Sequence, residues 1–196
     1  MDNRFLGELS TDVYGLTVNE MRLAHFGTTA AEGAAADADG VHAAIASKTT
    51  AQTITNGISN PPYPRNITIT IDGDTGDVKA GDIVVYGTNI AGKEISETFT
   101  LTDDDTEVDA GTKAFKTVTS IVIPAQDGTT ATFTFGFGEL MGLPFILKGK
   151  PLVFVLDDGV LATTPVITAE DDELEKNVID MHGSLDGSAY EIFIAI

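Results

Sequence analysis

Carboxylates, histidines and glycines are the residue types here whose spacing could support chemistry. Asp72, Asp74 and Asp77 fall on a tight turn, and loop oxygens at such intervals suit calcium. The EF-hand order fails, however: Gly76 and Asp77 hold the fifth and sixth positions, and no bidentate Glu closes the loop. Asp103-Asp104-Asp105 and Asp171-Asp172 read as solvated turns. The expectation is no metal site. His25, His42 and His182 are far apart and form no HExxH pair, so they are expected at surfaces or interfaces rather than on zinc. No G-x-S-x-G elbow occurs, and with no cysteine there is neither a thiolate nucleophile nor a disulfide. Gly136-Phe137-Gly138 lacks the third glycine of a dinucleotide fold and the Gly-Lys-Ser/Thr of a phosphate loop; it reads as a strand end. Paired carboxylates for glycoside hydrolysis are compatible with the sequence. Yet no Trp and only 4 Tyr leave few platforms for stacking sugars. The expectation is therefore a non-enzyme, with no catalytic residue and no cofactor.

Charge narrows the partners. Against 30 Asp+Glu stand 11 Lys+Arg, a formal net charge of -19. A monomer of this mass exposes roughly 9,000 Å², about one net negative charge per 470 Å². Phosphate backbones and anionic membranes both need clustered cations, so direct nucleic-acid and membrane binding are not expected. The acidity reads either as ordinary solubility or as adaptation to a saline medium. The amino-terminal MDNRFLGELSTDVYG has neither a basic nor an apolar leader region, and no apolar run reaches 18 residues, so a soluble, unexported protein is expected.

The elements around these residues are strands. With 42% hydrophobic residues, rich in Thr, Val and Ile, the chain can bury a core on pleated surfaces. Ile67, Ile69 and Ile71 alternate strictly, as do Phe133, Phe135 and Phe137. Pro61, Pro62 and Pro64 mark a corner before the first of these runs. Ile95, Glu97, Phe99 and Leu101 share a face, and Glu97 among apolar residues places that strand near an edge or interface. Phe115, Val118, Ile121 and Ile123 read as one long strand region ending at Pro124, and Gln126-Asp127-Gly128 carries hairpin chemistry. Leu152–Leu156 reads as a buried strand, and Asp171–Asn177 as one or two helical turns. The fold class expected is all-β, a β-sandwich or Greek-key barrel with an N-terminal arm and a C-terminal β extension.

Three regions are expected: residues 1–40, an arm and flexible linker; residues 41–147, the β-sandwich; and residues 148–196, a C-terminal β region completing the sheet or an inter-subunit contact. In the arm, Leu6, Leu9, Val13 and Leu16 fall at near-helical intervals, and Gly27–Gly40 is Ala/Gly/Asp-rich. The closing Tyr190–Ile196 is apolar to its last residue and must pair inside a sheet, its own or a neighbour's. The arm leucines and valine, with Ile192, Phe193, Ile194 and Ile196, are the candidate interaction residues.

Asn60–Leu101, Lys113–Pro144 and the closing Leu174–Ile196, with its LDG before a final apolar strand, resemble capsid decoration, cement or head-fibre proteins of tailed bacterial and archaeal viruses. That resemblance implies a virion structural protein on the outside of an icosahedral capsid, assembled in the host cytoplasm. It would bind the major capsid protein and its own copies, with a trimer favoured. A tail-tube or head–tail connector subunit, and a surface carbohydrate- or receptor-binding module, are the alternative readings.

Overall fold

Strict alternation of branched and aromatic residues makes one side of a pleated strand continuous hydrocarbon, and the chain repeats this device until two sheets can close on each other. The structure, a computed structural model, describes residues 9–10, 17–18, 23–74, 76–102, 106–149, 151–162, 164–181 and 183–195. Strands β1 (Leu9–Ser10) and β2 (Thr17–Val18) pair with each other. Then come β3 (Leu23–Gly27), β4 (Asp37–Ala46), β5 (Gln52–Ile54), β6 (Arg65–Asp72), β7 (Gly81–Thr88) and β8 (Glu94–Leu101). The order continues with β9 (Thr106–Phe115), β10 (Thr117–Ile123), β11 (Thr132–Gly142), β12 (Leu152–Asp157), β13 (Val160–Leu161) and β14 (Val166–Thr168). One turn of 3-10 helix, Leu174–Lys176, precedes β15 (Val178–Asp180) and β16 (Tyr190–Ala195). The fold is all-β and sandwich-like, and every pairing among the described residues is antiparallel.

A front sheet runs β5-β10-β7-β8. A back sheet runs β9-β6-β11; the far edge of β11 takes β4 along its first half and β15, then β14, at its end. Ile83, Val85, Phe99, Ile121 and Ile123 from the front meet Ile67, Ile69, Ile71, Phe133 and Phe135 from the back, all buried in one core. Each such side chain contributes about 1.5–3 kcal/mol by leaving water. A third, end sheet runs β13-β12-β16-β3. It closes a second core in which Val155, Ile192 and Ile194 join Met141, Leu147, Ile167 and Ile179.

The change from one core to the other falls inside β11, whose Phe133–Phe137 half belongs to the first and Met141 to the second. Gly136-Phe137-Gly138 therefore lies within a strand and does not end one. Bulges on either side of Phe137 let the strand bend between the two cores. The run from Phe115 to Ile123 is two strands, because the chain leaves the back sheet after Phe115 and enters the front sheet at Thr117. Gln126-Asp127-Gly128 returns the chain from front to back and is a sheet-to-sheet crossing, not a hairpin. Asp158 and Gly159 do form a hairpin: both have positive φ, 45° and 82°, the mirror turn that suits strand twist.

Within Gly27–Gly40, expected as a loose linker, a turn is closed by Thr29 and Glu32, the Glu32 carboxylate accepting from the Thr29 N–H at 2.8 Å. Strand β4 has begun by Asp37. Gly187 N–H donates to Gly33 O at 3.0 Å, tying this turn to the C-terminal region. Leu6, Val13, Leu16, Asp103–Asp105, His182 and Ile196 lie outside the described residues. Leu9 sits in the β1–β2 pair, a strand where the leucine spacing suggested helix.

Candidate interaction surface

The end sheet has one covered side and one side in water, and the alternation along β16 sorts its residues between them. Tyr190, Ile192 and Ile194 point into the second core and are buried. Glu191, Phe193 and Ala195 point out. Pairing places Phe154 of β12 and His25 of β3 directly beside Phe193. The three rings stack in a row: His25 on Phe193 at 4.3 Å with planes 11° apart, and Phe193 on Phe154 at 4.5 Å and 6°. Such cross-strand aromatic pairs each stabilise a sheet by about 0.5–1.5 kcal/mol. Leu23 lies beside Ala195, and Leu156 beside Glu191 and Leu161. Leu23 is 62% exposed, Leu161 63% and Phe154 41%.

Among the described residues, charge is nearly absent from this face. A Glu191 carboxylate oxygen lies 3.5 Å from His25 Nε2, and both side chains are about half exposed. Elsewhere the 10820 Å² surface carries about one net negative charge per 570 Å². An aromatic and aliphatic sheet face on so anionic a protein is a distinct surface feature among the described residues.

Of the candidate interaction residues, Ile192 and Ile194 belong to the chain's own core, and only Phe193 of the described C-terminal candidates faces out. The terminal strand finds both its neighbours, β12 and β3, in its own chain. Leu23, Phe154 and Leu161 were not singled out from sequence, whereas His25 was expected at a surface or interface and its side chain is half exposed. Leu152–Leu156 has no polar residue to mark a wet side, so it reads as buried on both faces, as a central parallel strand would. Val155 is indeed buried, but Phe154 is not.

Among the described residues, several other groups able to do chemistry serve structural contacts. Asp77 accepts from the Thr130 backbone N–H at 2.8 Å and from its hydroxyl, contacts that hold its carboxyl below the usual range. Asp72, Asp74 and Asp77 do not converge. Among the described residues the converging carboxylates are those of Glu170, Asp171 and Asp172, an exposed or half-exposed acidic turn. A cleft of about 450 Å³ runs along Asn60–Pro64, Ile90, Lys116 and Thr117. Burial, with the charge of Glu32, pushes the Tyr63 phenol at its wall up to about 12, so it stays protonated at neutral pH. His42 sets its ring nitrogens against Ala43 O at 2.6 Å and Asn56 O at 3.2 Å, within a strand-edge contact.

Glu97 is a part-buried carboxylate set among apolar neighbours. It lies on β8, the outer strand of the front sheet, and faces inward with Ile95, Phe99 and Leu101. Its Oε1 accepts from Thr112 N–H at 2.7 Å, Thr112 hydroxyl at 3.1 Å and Lys113 N–H at 3.2 Å, bridging the two sheets at their open edge. Gly111 permits this approach, since a Cβ there would collide with the carboxylate. Burial raises its pKa above the ordinary 4.5, although the hydrogen bonds oppose that shift. A raised folded value means the native state favours the protonated form. This stability is present at acid pH and is lost as pH rises through the folded pKa. The expected result is that Glu97→Gln, which keeps the Oε1 acceptor, gains stability relative to wild type as pH rises from 4 to 7 in urea unfolding. A parallel pH response in the two proteins would mean that the carboxylate is fully solvated.

Compared with protein-family models, curated proteins and solved structures, the chain matches none.

Proposed function

We propose that this chain is a non-catalytic virion structural subunit that binds the outside of an icosahedral capsid of a tailed virus as an oligomer and stabilises it. The outer face of the end sheet is its adhesive surface. The observation that carries this reading is the exposed row Leu23, His25, Phe193, Phe154 and Leu161 on an otherwise acid-coated β protein. Rigid two-core packing with no cysteine suits a part that works by being present in many copies, each adding a little buried area. The acidic remainder faces solvent and repels nucleic acid, which suits the outer side of a shell. The parallel stacking of the rings also bears on the sugar-binding alternative. Ring faces committed to one another present edges outward, where a sugar platform needs a flat face.

Phe154→Glu tests the proposal, because it places a charge in the middle of the face while removing only one stacked neighbour from Phe193. Co-sedimentation with shells of the major capsid protein should fall at least about tenfold, as for a charge buried at an interface centre. Shells decorated with the variant should lose the added resistance to heat and to low ionic strength. Undiminished binding and protection by a folded variant would overturn the proposal.

A further inference from the structure

We propose that the cleft of about 450 Å³ along Asn60–Pro64 is a binding site for a small zwitterion with an apolar body, an aliphatic amino acid or a short aliphatic peptide. Its lining shares no residue with the outer face of the end sheet, so the site stands or falls apart from the capsid reading.

The walls are in place before a ligand arrives. They come from four stretches of chain, and each is held by its own contacts. Proline rings fix φ at Pro61, Pro62 and Pro64, and Pro64 O accepts from Gly142 N–H at 2.8 Å. Asn60 Oδ1 accepts from Val118 N–H at 2.9 Å. Ile90 rides on a turn closed by buried Asn89, whose Oδ1 accepts from Ala91 N–H at 3.0 Å and Lys93 N–H at 3.1 Å. Lys116 N–H donates to Thr88 O at 2.8 Å where the chain crosses between sheets. A cleft so fixed loses little freedom on binding, and its volume lies within the range of small-molecule sites.

The lining then selects the ligand. Prolines and Ile90 offer hydrocarbon, which suits an aliphatic body. Lys116 is the one cation and Glu32 the one carboxylate among the described lining residues, so the cleft is neutral overall on a chain of net charge -19. A simple anion would meet Glu32 and a simple cation would meet Lys116. A molecule carrying both signs satisfies each. Donors gather for its carboxylate. The Tyr63 hydroxyl hydrogen-bonds to no described residue, and with its pKa at about 12 it remains a donor at neutral pH. Asn60 spends its Oδ1 on Val118 and keeps Nδ2 to donate. Glu32 Oε2 accepts from the Thr29 N–H and hydroxyl, which leaves Oε1 for an ammonium group.

Titration of the full-length, isotope-labelled chain by NMR tests the site, with L-leucine, L-leucyl-L-leucine and N-acetyl-L-leucine amide as probes. The expected result is saturable shifts at the amides of Tyr63, Ile90, Lys116 and Thr117, with Kd at or below about 1 mM for at least one of the two zwitterions. Leucine binding alone assigns the site to a free amino acid, and dipeptide binding alone to a peptide; either supports the proposal. The blocked amide should bind at least about tenfold more weakly, as should the zwitterion to Lys116→Met and to Glu32→Gln, which retains an acceptor for Thr29. Tyr63→Phe should weaken binding roughly three- to tenfold while leaving the urea midpoint unchanged, since the hydroxyl holds nothing in the fold. No saturable shift at 20 mM with either zwitterion, equal binding of the blocked amide, or affinity unchanged in the Lys116, Glu32 and Tyr63 variants would each overturn the proposal. None of these results bears on Phe154→Glu and shell binding.

Discussion

Replacing Arg65 with methionine is expected to cost about 3–5 kcal/mol of unfolding free energy, among the largest losses that one substitution can cause in this chain. Arg65 is fully buried at the start of β6, where the two cores meet. Its Nε donates to Gly138 O at 2.7 Å, Nη2 donates to the same oxygen, and Nη1 reaches Ala34 O at 3.0 Å. The guanidinium lies 5.4 Å from the centre of the Phe137 ring and 3.8 Å from the Glu139 carboxylate. One side chain thus joins the turn before β4, the bent middle of β11 and the first residue of β6. Burial pulls its pKa down to about 10, with Glu139 opposing, so it remains charged at neutral pH. Methionine fills similar volume but takes the guanidinium donors from one buried and one part-buried carbonyl oxygen, each costing about 1–3 kcal/mol. Lysine keeps the charge without the planar fork and should recover less than half of the loss. Guanidinium unfolding at pH 7 measures both. A loss under 1 kcal/mol for methionine would mean that water already serves these carbonyls.

Asn177→Leu should be of comparable size, about 3–5 kcal/mol, for a different reason. Asn177 has no solvent exposure, and its amide completes four backbone hydrogen bonds. Its Oδ1 accepts from Leu147 N–H at 2.9 Å and Glu170 N–H at 3.1 Å; its Nδ2 donates to Glu170 O at 2.7 Å and Glu173 O at 2.9 Å. These contacts hold two loops and the 3-10 turn against the second core. Leucine matches the volume and satisfies none of the four groups. Asn177→Asp is the sharper comparison: a carboxylate can accept from both N–H groups but meets two carbonyl oxygens where it should donate. That variant should be nearly as unstable as Leu at neutral pH and should regain stability as pH falls and the carboxyl protonates, because only the acid can donate. Thermal melts at pH 4.5 and 7.5 would separate the two; equal deficits at both pH values would contradict the hydrogen-bond account.

Neither residue announces itself in the sequence. Arg65 follows a proline corner and opens an alternating strand, where an arginine ordinarily marks a solvated end. It is buried because bulges at β6–β9 and β6–β11 turn this part of the sheet toward the seam between cores. Asn177 follows an acidic stretch that reads as a surface turn. By contrast, Ile67, Ile69, Ile71, Phe133 and Phe135 could be assigned to a core from period alone, since nothing but burial on one face rationalises that spacing. Glu97 is intermediate: its place among apolar neighbours marked an edge, and β8 is an outer strand, but its partners on β9 lie fifteen residues away across the sheet gap.

Composition and two-residue periodicity were enough, by themselves, to establish an all-β chain, its acid coat and the need of the terminal strand for neighbours. Tertiary structure decided which strands became those neighbours, where the chain crosses between sheets at Lys116, and which side of β12 and β16 meets water. The reason is geometric. A pleated strand always has two faces, and a run such as Leu152–Leu156 is apolar on both. Only pairing with residues far away in the chain determines which face is covered and which is left outside to adhere.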